Sequence, residues 1–180
     1  MNKFIIFVII SFFSNLELKA ENIGIDSGYK IPRFISLKSD DVNLRIGSSK
    51  KYPILIKYIK KNMPVEVIDE YGFWRKIKDI DENEGWIHKS LLKGDRYGII
   101  INDKKSLSNV YSSPNGKIIG EIGNSNIVKI NICREKWCKF NFNEIDGWIS
   151  KKNLWGIYDN ELINIPFYSK IYKFIMDLKN

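Results

Sequence analysis

The strongest constraint in this chain is that it says nearly the same thing twice. The stretch "WRKIKDIDENEGWIHKSLL", residues 74–92, returns as "WCKFNFNEIDGWISKKNL", residues 137–154. Trp74 matches Trp137 and Trp86 matches Trp148, 12 residues apart in one copy and 11 in the other. Upstream, "VNLRIGSS" (42–49), "YPILIKYI" (52–59) and "MPVEVIDEYGF" (63–73) have counterparts in "LSNVYSSPNGKIIGEI" (107–122) and "IVKINICREK" (127–136). Repetition of this kind predicts two similar modules. Within each, "VEVID", "WRKIKD", "VKINI" and "WCKFNF" alternate apolar and polar positions around short turns, the signature of strands and hairpins. About five short strands in roughly 55–60 residues is the content of a small closed barrel.

The order "VNLR-G", "PVEVI-E-WRKI-D", "GWIHKSLL" resembles the bacterial SH3 domain. The second copy fits the same pattern through Val110–Tyr111–Ser112–Ser113–Pro114 and "GWISKKNLWGIYDNE". Over residues 33–161 the chain resembles a tandem SH3-like exported protein of alphaproteobacterial type. Two departures stand out. Ser48 follows Gly47 where such domains often carry Pro, and the second copy lacks a counterpart of Arg45. The resemblance therefore implies ligand binding by the first module and leaves binding by the second open.

Export is also the reading of the N-terminus. Lys3 precedes the ten-residue apolar run "FIIFVIISFF", and Ala20 ends a polar stretch, the layout of a cleaved signal peptide. A bilayer span needs about 20 apolar residues, so the alternative is an atypical retained anchor, favoured only by the bulk of Leu18. A secreted, periplasmic location follows. The formal charge of +8 would invite a nucleic-acid reading in another compartment. Here it reads as a solvated, lysine-rich surface open to anionic wall polymers, lipid head groups or acidic proteins. Cys133 and Cys138 form an even, closely spaced pair, which in an oxidising compartment predicts a disulfide.

The expected architecture is all-β: two tandem SH3-like barrels with a signal peptide before and a helix after. The segments are a signal peptide (1–20), a linker (21–34), module one (35–94), module two (95–158) and an amphipathic helix within 159–180. That helix is expected after Pro166, with Phe167, Ile171, Phe174, Ile175 and Leu178 on one face. It packs on its own protein or makes peripheral contact with a membrane or partner.

Catalysis finds little support. A wall-hydrolase type of cysteine peptidase needs a thiolate beside a histidine. The only histidine, His88, is far in sequence from either cysteine, and related domains often carry His there without chemistry. Asp79, Asp81, Glu82 and Glu84 read as a solvated acidic turn, without the ligand spacing of a calcium loop. No metal, no cofactor and no nucleic acid are expected. Recognition remains. Arg45, Tyr52, Tyr71 and Trp74 are the candidate ligand-binding residues, Arg45 pairing with a carboxylate and the rings forming a shallow groove. Trp86 and Trp148 are read as packing residues that build the barrel twice. Cell-wall peptide or glycan is the ligand the resemblance implies; an envelope protein held by the barrels or the terminal helix is the alternative.

Overall fold

The structure is a computed structural model and describes residues 22–102, 106–143 and 145–164. The signal peptide read over 1–20 and the helix expected after Pro166 lie outside the described residues. Among the described residues the regular elements are strands, apart from two three-residue 3-10 turns at Lys89–Leu91 and Lys151–Asn153.

The first module contains β1 (Arg33–Leu37), β2 (Val42–Arg45), β3 (Ile54–Tyr58), β4 (Pro64–Tyr71), β5 (Trp74–Lys78), β6 (Glu84–His88) and β7 (Leu92–Lys93). They form one sheet in the order β3-β2-β6-β5-β4-β1-β7. The second contains β8 (Tyr97–Ile100), β9 (Leu107–Tyr111), β10 (Ile118–Gly123), β11 (Ile127–Cys133), β12 (Trp137–Phe142), β13 (Ile145–Ser150) and β14 (Leu154–Trp155). Its order, β10-β9-β13-β12-β11-β8-β14, is the first order with every label advanced by seven. The repeat in sequence is thus a repeat in topology. Each sheet has two strands more than the five expected: the opening strand and the two-residue closing strand that pairs with it.

Period-two alternation decides what each strand buries. In the first module Leu37, Val42, Leu44, Val65, Val67, Ile77, Ile87 and Leu92 form one core, drawn from β1, β2, β4, β5, β6 and β7. Strands from both ends of the sheet meet in that cluster, so the sheet curls around it. Ile100, Val110, Val128, Ile130, Phe140, Ile149 and Leu154 do the same in the second. The repeated tryptophans are not in these cores. Trp74 precedes the inward Arg75, and Trp86 sits between the inward Gly85 and Ile87, which puts both rings on the outer face. Trp74 and Trp86 are half-buried there, and Trp148 is buried, which agrees with the reading of the repeated tryptophans as packing residues. The repeated glycine before Trp86 and Trp148 has a clearer packing role. A Cβ on Gly85 would lie 2.7 Å from Leu44 Cγ, and one on Gly147 would lie 2.3 Å from Val110 Cγ1. The crossing of β6 over β2, and of β13 over β9, leaves no room for a side chain there.

One pair of matched positions differs in chemistry. Glu70 and Arg75 are register partners at the β4–β5 turn, where the second module has Cys133 and Cys138 across β11–β12. The second pair is a disulfide. The first is an ion pair, Arg75 Nε to Glu70 Oε1 at 3.3 Å.

Glu70 also anchors the start of the described chain. Residues 22–30, within the segment read as a linker, turn back on themselves through an Ile23–Lys30 bridge. Ser27 donates to the Glu70 carboxylate from its backbone N at 2.9 Å and its hydroxyl at 2.6 Å, and Arg33 from Nη2 at 2.8 Å. At the other end, Ile163 exchanges two backbone hydrogen bonds with Cys133. Both flanking segments therefore dock at the matched turn position.

Modules this small bury little core of their own. Phe34 supplements it by packing against Trp155 and Tyr158, with ring centroids 5.1 and 4.7 Å apart. Tyr158 donates to Glu66 Oε1 at 2.6 Å, and Ser36 donates to the Asp95 carbonyl at 2.9 Å. Burial pushes the Tyr158 phenol far up, and the bond to Glu66 adds to it. Lys151, nearly buried, donates to the carbonyls of Asp159 and Glu161 and fixes the path of the tail. Burial lowers its pKa, against the opposing pull of Glu161 and Asp159.

Candidate functional site

The outward positions of β2, β6, β5 and β4 share one surface of the first module. Register places Arg45 beside Trp86, Trp86 beside Lys76, and Lys76 beside Asp69. A second row runs His88, Trp74, Tyr71. The rows are two residues apart along β6, about 7 Å. Three of the four residues singled out from sequence, Arg45, Tyr71 and Trp74, therefore lie on the same face. Tyr52 stands at its margin, in the loop between β2 and β3.

Local contacts fix each of these side chains. Arg45 Nη1 donates to the Tyr52 carbonyl at 2.7 Å, closing the β2–β3 loop. The Tyr52 ring lies so close to Gly47 that a Cβ there would approach it to 2.5 Å. Its other side is open; Tyr52 is 47% exposed. Tyr71 and Trp74 face each other across the turn, and Tyr71 is 67% exposed. The His88 ring meets Trp74 edge-on, with centroids 5.4 Å apart. His88 Nδ1 accepts from the Ser90 backbone N at 3.3 Å and lies 2.8 Å from the Ser90 hydroxyl, so the ring caps the 3-10 turn. Lys89 sits over the exposed Phe73 ring at 4.7 Å.

Trp86, His88 and Phe73 belong to this surface and were not selected from sequence. The signal was present for Trp86: if Ile87 and Gly85 point inward, strand alternation puts Trp86 outward. For Phe73 and His88 the hairpin geometry was needed.

The matched surface of the second module is covered at Trp148, while Tyr111 and Trp137 stay half-buried. Tyr111 pairs with Trp148 as Arg45 pairs with Trp86. Tyr111 packs edge-on against Trp137, with centroids 4.9 Å apart, and Arg134 lies 5.4 Å over the Trp148 ring. Trp148 is left 9% exposed.

The acidic turn is not solvated throughout. Asp79 is 2% exposed and accepts from the Tyr58 hydroxyl at 2.9 Å and from the backbone N of Asp81 and Asn83 at 3.0 and 2.9 Å. Burial, then the bond to Asp79, pushes the Tyr58 phenol far up. Asp79 organises the turn that leads into β6. No group of three or more metal-ligating side chains occurs among the described residues.

A family model for the bacterial SH3 domain matches residues 38–94 and 104–156, together more than half of the chain. No curated protein matches. Among solved structures, NlpC1 from Trichomonas vaginalis is 16% identical, covering 73% of this chain and 48% of its own, with a TM-score of 0.29. NlpC2 from the same organism is 17% identical, covering 71% and 49%, with a TM-score of 0.29. An NlpC/P60 family protein from Bacillus cereus is 12% identical, covering 78% and 61%, with a TM-score of 0.30. The chain spans about half the length of the two Trichomonas proteins. The family match falls on the two sheets described above, one copy on each. The chain belongs to the bacterial SH3 domain family and carries that domain twice in tandem.

Proposed function

We propose that the protein is an exported, periplasmic binding module whose first domain recognises cell-wall peptide or glycan without catalysis. The observation that carries this reading is the contrast between the two matched faces. The first presents Trp74, Trp86 and Tyr71 beside Arg45; the second fills the Arg45 position with Tyr111 and shields Trp148. Tyr71 is exposed and Trp74 and Trp86 are half-buried, so their rings offer rigid contact area, and Arg45 has donors beyond its bond to Tyr52 for a peptide carboxylate. The non-catalytic reading is supported by Cys133 and Cys138 being joined to each other, away from His88. The test is co-sedimentation with purified peptidoglycan sacculi at low and moderate salt. Retention at moderate salt is expected, weakened about tenfold by Trp74→Ala and less by Arg45→Ala. Binding that vanishes with salt in the parent protein would reduce it to charge attraction and rule the reading out.

A second reading, an envelope protein adaptor, rests on the strands at the sheet ends. Ile54 and Leu55 on β3, and Ile118 and Ile119 on β10, are each at least half exposed. Apolar terminal strands are surfaces on which a partner strand can add. Leu55→Glu with Ile119→Glu would abolish partner capture and leave sacculus binding intact.

A further inference from the structure

A cleft of about 490 Å³ lies between the N-terminal hairpin, β1 and β7, and meets the aromatic face only at Lys89. Five cations line it, Arg33, Arg75, Lys89, Lys93 and Arg96, and no carboxylate does. Three carboxylates outside the lining answer them. Glu70 is shared by Arg33 and Arg75, Asp95 pairs with Lys93 at 3.0 Å, and Glu161 pairs with Arg96. Lys89 is set on the Phe73 ring. The balance is a surplus of two positive charges. Phe34 and Leu92 give the same cleft an apolar wall.

We infer that this cleft binds a phosphomonoester whose apolar substituent lies along Phe34 and Leu92. Such a group carries nearly two negative charges at neutral pH and three strong acceptor oxygens, which matches the surplus and its fan of N–H donors. A simple carboxylate would answer only half of it. Arg33 and Arg75 are held by Glu70, Arg96 by Glu161, and Lys93 by the exposed Asp95 with the Tyr97 ring 4.9 Å away. The dianion is therefore met first by Lys89, and by Lys93 as it exchanges Asp95 for the phosphate. The site is independent of the sugar or peptide reading of the aromatic face.

The test is titration calorimetry of the full chain with phenyl phosphate, against benzoate as the monoanionic comparator. Phenyl phosphate is expected to bind saturably, about tenfold tighter than benzoate, with about a fivefold loss in Lys89→Ala and in Lys93→Ala. Lys93→Ala is the cleaner variant, because Lys89 touches Phe73 on the aromatic face. A second arm uses phosphatidylcholine vesicles with and without phosphatidic acid. Retention only with phosphatidic acid, lost in both variants and displaced by phenyl phosphate, supports the assignment with a lipid head group as source. Binding of phenyl phosphate without vesicle retention supports a soluble phosphate source. Equal affinity for benzoate, no binding in either arm, or unchanged binding in both folded variants overturns it. Trp74→Ala leaves phenyl phosphate binding intact, and Lys93→Ala leaves sacculus binding intact, so failure here is distinct from failure of the wall reading.

Discussion

Glu70 shows how much one side chain can organise and how little of that the sequence discloses. Its carboxylate takes hydrogen bonds from Ser27 and Arg33 and the charge of Arg75, with a side chain only 1% exposed. Burial alone would raise its pKa; the bonds from Ser27 and Arg33 and the charge of Arg75 outweigh it and hold the carboxyl below its ordinary 4.5. A depressed acid contributes stability that is present above the ordinary value and is lost as pH falls through the folded one. Glu70→Gln is therefore expected to cost about 3 kcal/mol at neutral pH, where the buried Arg75 and the half-buried Arg33 lose their counter-charge. Thermal melts of parent and variant at falling pH should converge below the ordinary carboxylate range; a constant gap would mean that shape, not charge, sets the cost. Arg33 lies 37 positions from Glu70, and nothing in a single sequence marks so distant an ion pair. Arg45, Tyr71 and Trp74 could be picked out because the aromatic content of one repeat is visible, and register places them on one face. Trp86 was read as packing because it repeats with the fold, and it is half-buried on the outer face.

At the level of elements, hairpins were the most legible feature. Alternation in "VEVID" and "WRKIKD" places β4 and β5, and the paired tryptophans set the match between modules. The opening of β1 fell inside the segment read as linker, since Arg33 and Phe34 gain their meaning from β4 and the second module. The Cys133–Cys138 bridge was legible from the close, even pairing of the two cysteines. It closes a loop of only a few residues, so its removal by Cys133→Ala with Cys138→Ala should cost about 2 kcal/mol in the chain-entropy picture. Urea unfolding followed by tryptophan fluorescence reads this directly. An unchanged midpoint would show that the backbone bridge between Ile163 and Cys133 holds the hairpin without the covalent link.

For the whole molecule, the junction between modules is the part the sequence concealed most. Tyr158 and Glu66 stand 92 positions apart, and Phe34 meets two rings from the far end of the described chain. Phe34, 8% exposed, joins β1 of the first module to the rings of Trp155 and Tyr158. Calorimetry of the parent should show one cooperative transition, and Phe34→Ala should split it at a cost of about 3 kcal/mol. A single transition in that variant would mean that the hydrogen bonds alone couple the modules. The matched turn position gives the two halves different weaknesses. The first is fastened by ionic charge and the second by a covalent bond between sulfurs. Acid therefore loosens one barrel and a reductant loosens the other. No single environmental insult of these two kinds unfastens both, and a duplicated domain has in this way become a pair with complementary tolerances.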